Sequence, residues 1–215
     1  ERRMTMQNGF LRFIKEWVIP IGVTLVIVLL VRTYLFTLVR VSGPSMMPNL
    51  QDKEFVILSK ISKYKRGDVI VFDARQEDPR FNSNDKDYVK RIIGVPGDTV
   101  SYKNSNLYVN GKVVNQNYIG IDERTQGTEM SFGSEWSLKT LSATDLWQKK
   151  DQHHTKVPAG EYFVMGDHRS VSNDGRYFGF VDAKHVTGKV IVPFWNSDKN
   201  AKKSVNEQDK HFFAN

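Results

Sequence analysis

The chain has 215 residues, with 31 Lys and Arg against 24 Asp and Glu, 40% hydrophobic residues and no cysteine. That length suits one moderate domain with an appendage. The missing cysteines exclude a disulfide scaffold, a cysteine-ligated zinc or iron–sulfur site and a thiol nucleophile. The net charge of +7 admits nucleic acid or anionic lipid as partners, and the placement of the charges must decide between them. Because the chain begins at Glu1, a start a little upstream is expected.

The first element is apolar. Trp17–Val31 runs 15 residues without a charge. At 1.5 Å per residue that spans about 22 Å, short of a hydrocarbon core of about 30 Å. Extension over Ile14–Val39 supplies the missing length, with Arg32 able to snorkel and Thr33–Val39 reading as interfacial. The run is apolar all round and is not followed by a small-x-small cleavage site, so it reads as an anchor and not as a core helix or a signal peptide. Arg2, Arg3, Arg12 and Lys15 precede it, which predicts a cytoplasmic N-terminus and the remainder of the chain on the outer face of the cell membrane. Five basic and two acidic residues lie before Arg40, leaving 26 against 22 beyond it (31 − 5 and 24 − 2). The basic excess is therefore concentrated at the anchor, and no nucleic-acid partner is expected.

Beyond the anchor, β-branched and aromatic runs recur at Glu54–Leu58, Asp68–Phe72, Tyr88–Val95, Thr99–Tyr102, Leu107–Val109, Tyr162–Met165 and Lys189–Val192. Turn residues separate them, and Asn110-Gly111 between two such runs is a two-residue hairpin signal. The predicted class is mainly β, an antiparallel sandwich or barrel-like domain behind one N-terminal transmembrane helix. The expected division is 1–13 cytoplasmic, 14–34 anchor, 35–114 and 157–195 the β domain, 115–156 a polar insertion, and 196–215 a poorly ordered tail. Within the insertion, Trp136, Leu138, Leu141, Leu146 and Trp147 are expected to form a satellite cluster.

Three segments carry the candidate chemistry: Val41–Leu50 around Ser45, Asp87–Asp98 around Lys90, and Gly166–Gly179. Serine needs a base to remove its proton. Gly43, two residues before Ser45, is read as permitting close backbone approach, and two prolines fix the turn. Lys90 sits among Val89, Ile92 and Ile93. A free lysine is only about 0.04% neutral at pH 7, so a base must be brought down by desolvation. Lys90 and Arg91 alternate faces, so one of them is expected to snorkel to the surface. His168 with Ser45 and Asp174 leaves a triad open. There is no G-x-S-x-G elbow, metal-site spacing, phosphate loop or dinucleotide fingerprint, so neither a cofactor nor a metal is expected.

In register behind the anchor, S-G-P-S-M-M-P-N-L (42–50), K-R-G-D-V-I-V-F (65–72), Y-V-K-R-I-I-G-V-P-G-D (88–98) and G-D-H-R-S-V-S-N-D-G-R (166–176) resemble the boxes of bacterial type I signal peptidases. The resemblance implies a membrane-bound endopeptidase that removes signal peptides from secreted preproteins after small residues. It implies Ser45 as nucleophile and Lys90 as general base, acting through an acyl-enzyme. Ser172 would orient Lys90 by a hydrogen bond, and Asp174 with Arg176 would shape the site as an ion pair. The signal peptide would add as a strand between Val41, Gly43 and Met46 on one side and Asp87, Tyr88 and Val89 on the other. Membrane lipid and the protein translocation machinery are the further partners implied.

This sequence departs from the pattern at Gly43, where some members carry an oxyanion-hole serine, at His168, where asparagine is usual, and at Gly175, where serine is usual. Ser42 is one residue too early to replace the missing hydroxyl, so the oxyanion would rest mainly on the Ser45 N–H. The single span and modest insertion suggest a monoderm bacterium. A catalytically dispensable relative assisting pilus or surface-protein assembly is the alternative, disfavoured by the presence of both Ser45 and Lys90.

Overall fold

The computed structural model describes residues 10–81 and 87–214. Arg2 and Arg3, on which the orientation expectation partly rests, lie outside them. The chain falls into two units that part between Thr37 and Leu38.

The first unit is a continuous helix, Phe10–Leu35, of 26 residues, long and apolar enough to cross a membrane and with none of its apolar window buried. Its central α-helical part, Ile19–Leu30, carries Pro20 directly after a π-type turn; inside a continuous helix proline's missing N–H leaves a carbonyl of the preceding turn without its helical donor. Wider π-type turns flank it at Ile14–Val18 and Val31–Leu35. An Arg12–Glu16 pair one turn apart sits near its start.

The second unit is built from two sheets. The strands are β1 Phe36–Arg40, β2 Phe55–Ser59, β3 Val69–Asp73, β4 Asp87–Gly94, β5 Val100–Lys103, β6 Asn106–Val109, β7 Lys112–Val113, β8 Trp136–Ser137, β9 Glu161–Met165, β10 Val181–Asp182 and β11 Val186–Ile191. The large sheet runs β1-β2-β11-β3-β4-β9-β10 and the small one β7-β6-β5-β8. Every pair with a defined register is antiparallel. The mainly antiparallel β class expected from the strand runs is therefore the class observed. Asn110 and Gly111 both have positive φ (51° and 76°), as the expected two-residue turn requires.

β3 explains how the large sheet is seated. Its run Val-Ile-Val-Phe is buried on both faces. Val69 and Val71 pack with Val41, Met46, Leu50, Val56 and Leu58, while Ile70 and Phe72 pack with Ile92, Val164 and Phe178. A third cluster joins Ile93, Phe163 and Met165 of the large sheet to Val100, Tyr102, Leu107 and Val109 of the small one.

Two expectations are corrected. Trp136, Leu138, Leu141 and Trp147 form no satellite: they belong to this third cluster, because β8 pairs with β5 and carries Trp136 onto Tyr102. Leu146 stays exposed. Of the segment Thr33–Val39, read as interfacial, Phe36–Val39 belong to β1. Residues 196–214, read as poorly ordered, form a capped helix Lys199–Asn206 followed by a 3₁₀ turn, with Ala201, Val205 and Phe212 buried.

Candidate active site

Ser45 lies in a tight turn after β1, half-buried, with Met46 beneath it in the core. Lys90 comes from the middle of β4, opposite Ile70 of β3. The two meet with Lys90 Nζ 2.8 Å from Ser45 Oγ, across 45 residues of sequence. Gly43 is needed for a different reason than close approach. A Cβ there would meet nothing within 4 Å, but φ is +85°, a region that side chains disfavour. Its N–H donates to Asp52 Oδ1. Among the described residues no acceptor faces the Ser45 N–H, while the Ser45 carbonyl accepts from the His168 N–H at 3.1 Å.

Lys90 is only 3% exposed. Burial brings its pKa down from 10.5 to about 8, with Asp174 and Asp167 pulling the other way. The Tyr88 ring lies 5.0 Å from the amine. Tyr88 is itself held by its hydroxyl donating to Asp78, which also accepts from Asn173.

The expectation that either Lys90 or Arg91 snorkels fails, because both faces of β4 are covered. Arg91 is fully buried and donates Nε and Nη2 to the two oxygens of Asp167 at 2.8 and 2.6 Å. Its Nη1 donates to the carbonyls of Gly67 and Ser204, and Tyr118 stacks against the guanidinium at 4.1 Å. Asn49, four residues past Ser45, donates to Asp167 as well. Sequence reasoning missed this network. The only available signal was the Asp in G-D-H-R, 76 residues from Arg91.

The ion pair implied for Asp174 and Arg176 is present. Arg176 Nε and Nη2 lie 2.9 and 3.0 Å from the Asp174 carboxylate, which also accepts from the Gly166 N–H. Burial opposes the charge on Asp174, but Arg176, that N–H and Lys90 together hold its pKa below the usual range. Gly175 leaves the pair intact, and a Cβ there would lie 2.8 Å from the Val164 carbonyl. Ser172 is buried near the dyad, yet the hydrogen bond to Lys90 implied for it is not formed. Its Oγ has no partner among the described residues, since the amine is turned onto Ser45. Gly166 makes room for both serines, because a Cβ on it would sit 2.2 Å from Ser172 Oγ and 2.6 Å from the Ser45 carbonyl.

His168 stands beside Ser45, but neither of its ring nitrogens faces the Ser45 hydroxyl. Its Nδ1 faces the Pro44 carbonyl at 3.1 Å and its Nε2 the Glu123 carboxylate at 3.8 Å. Of the residues expected along the substrate, Val41 and Met46 are buried, Val89 and Tyr88 are half-buried and Asp87 is exposed. β9 pairs with β4 only from Arg91 onward. Tyr88–Lys90 therefore have β3 as their one strand neighbour among the described residues. No group of three or more His, Asp or Glu positioned to hold a metal occurs among those residues.

Residues 14–195 match the family model described as signal peptidase, peptidase S26. The chain belongs to this family. It is 39% identical over 186 residues to signal peptidase IB of Staphylococcus aureus strain COL, covering 85% of this chain and 90% of that protein. It is 36% identical over 187 residues to signal peptidase I of Bacillus licheniformis, covering 83% and 89%. A crystal structure of a signal peptidase I from Enterococcus faecalis V583 aligns over 60% of this chain and 97% of that one, at 34% identity and a TM-score of 0.46. The chain is accordingly an enzyme, a serine-class peptidase.

Proposed function

We propose that the protein is a membrane-anchored signal peptidase that cleaves signal peptides from secreted preproteins through a Ser45–Lys90 dyad. The observation that carries this reading is a single amine, buried and without a dedicated counter-ion, 2.8 Å from a serine hydroxyl. With its pKa near 8, roughly a tenth of Lys90 is neutral at pH 7, against about 0.04% for a free lysine.

Neutral Lys90 takes the Ser45 proton as Oγ bonds to the scissile carbonyl carbon. The oxyanion rests on the Ser45 N–H, with Gly43 supplying no hydroxyl. As the C–N bond breaks, Lys90 returns the proton to the leaving amine. Water then attacks the acyl-enzyme carbonyl, giving a proton to Lys90, which passes it to Ser45 Oγ as the acyl C–O bond breaks and the acid leaves. The substrate adds as an extended strand beside Tyr88–Lys90, with Val41, Gly43 and Met46 opposite and Asp87 and Val89 along its path. In this position Val41 and Met46, both buried, form a floor under small side chains. Ser172 shapes the pocket around the amine, and Asp174 with Arg176 fixes the loop that carries it.

Residues 14–34 would span the cell membrane with residues 1–13 cytoplasmic. The catalytic portion (35–114 and 157–195), the insertion (115–156) and the tail would lie on the outer face. Leu35 and Ser45 are ten residues apart, at most about 35 Å of extended chain, which suits a substrate delivered in lipid by the translocation machinery. The test is cleavage of a preprotein by the wild type, Ser45→Ala and Lys90→Ala at matched expression. Both variants should be inactive. Wild-type cleavage by Ser45→Ala overturns the reading, and loss in His168→Ala but not Lys90→Ala replaces the dyad with a triad.

A further inference from the structure

Residues 196–214 lie beyond the family-matched region and fold back under the dyad. Asp198 caps the helix Lys199–Asn206 by accepting from the N–H groups of Asn200 and Ala201. Asn206 then clasps Val192, accepting from its N–H and donating to its carbonyl, both at 2.9 Å. This clasp presents two consecutive residues to the two halves of the site. The Ser204 carbonyl accepts from Arg91 Nη1 at 2.8 Å, next in sequence to Lys90. Val205 is buried in the cluster that contains Val41, Met46 and Leu50, so it packs within the group beneath the Ser45 turn. The remaining residues are tied elsewhere. Gln208 donates to the Asn115 carbonyl, Phe212 accepts from the Asn115 N–H, and Phe212 is buried with Trp136 and Phe163.

We infer that residues 196–214 are a strap that sets the Ser45–Lys90 separation, with Ser204 and Val205 as its positioning residues. The inference rests on the dyad proposed above. Arg91 is saturated only with the strap in place. Without the Ser204 carbonyl, a buried guanidinium N–H loses an acceptor and must find water or shift, and β4 shifts with it. Without Val205, the floor under Met46 opens. Proton transfer over 2.8 Å tolerates little of either, since a misplacement of about 1 Å can cost on the order of 10²-fold in rate. Water admitted beside Lys90 would also relieve its desolvation. The groups that act on that amine are Asp174, Asp167, Arg176, Asp78 and the Tyr88 ring, and none of them lies on the strap.

The experiment measures kcat, KM and the pH dependence of kcat for preprotein cleavage by the full chain, by Val205→Ala, by Asn206→Ala and by a variant ending at Asp198, with folding followed by circular dichroism. Expected is a folded Val205→Ala protein with unchanged KM, kcat lower by about tenfold and an acid limb moved toward higher pH; Asn206→Ala should move the same way and the shortened variant further. Should the shortened variant not fold, the two point variants decide. Wild-type kcat and an unmoved limb in folded variants overturn the strap, as does a kcat loss that only tracks the unfolded fraction. Ser45→Ala in the same assay separates the two levels: if it cleaves, the dyad itself falls, whereas an inactive Ser45→Ala beside wild-type strap variants removes the strap alone.

Discussion

Lys90 and Arg91 are neighbours on β4, both basic and both buried, and the two faces of the strand treat them oppositely. Arg91 has a carboxylate of its own, two carbonyls and an aromatic ring, so every part of its charge is answered. Lys90 has one hydroxyl, and the anions that act on it are already committed, Asp174 to Arg176, Asp167 to Arg91 and Asp78 to Tyr88 and Asn173. A buried cation given a dedicated partner holds the fold; one surrounded by anions engaged elsewhere is left able to lose its proton.

The sharpest way to break this contrast is to remove the reactive half. Lys90→Met and Ser45→Ala should each lower kcat/KM for preprotein cleavage by more than about 10³-fold, with the fold retained. Removing the answered half acts on stability instead. Asp167→Ala strands the Arg91 guanidinium and should cost about 3–5 kcal/mol in denaturant unfolding, far more than the loss of an exposed pair such as Arg12–Glu16. Lys90→Met should do the reverse. The folded-state pKa of Lys90 is lowered from 10.5 to about 8, so the unfolded chain binds the proton more tightly, and wild-type stability rises as pH climbs from 8 to 10.5. Lys90→Met should therefore be more stable by up to about 3 kcal/mol at pH 7, with the advantage gone above pH 10.5.

Two smaller effects sharpen the comparison. The acid limb of log kcat/KM should bend near pH 8; a bend at the free-lysine value would remove desolvation from the mechanism. Asp151 provides the acidic counterpart, buried and pushed up to about 7, chiefly by burial, with Lys150 and the Phe180 backbone opposing the rise. Its folded pKa is raised, so its ionised form disfavours folding above that pH. Asp151→Asn should raise Tm at pH 8 and leave it nearly unchanged at pH 4.

Much of this contrast was legible from residues alone, and its limits are physical. The strand runs around β3 and β4 and the Asn110-Gly111 turn are local signals, and the segments bearing Ser45, Lys90 and Asp174 stood out by motif. The burial of Arg91 was hidden because its partner is 76 residues away, and strand alternation states only that two neighbours face apart, never that both faces are covered. The helix Lys199–Asn206 was hidden for a related reason. Its apolar stripe is only Ala201 and Val205, one turn apart in a charged stretch, and the docking of Phe212 is a tertiary event. Trp136 was visible as an apolar residue, but its cluster could not be assigned before β8 was paired with β5.

Gly166 bears on how this enzyme can change over generations. Any single-nucleotide change of a glycine codon that alters the residue installs a side chain or ends the chain. The first carbon of that side chain would fall 2.2 Å from Ser172 Oγ and 2.6 Å from the Ser45 carbonyl. The position thus has no neighbouring sequence that leaves the serine turn where it is. A lineage selected for a reshaped pocket around these two serines would have to change it at residues other than Gly166.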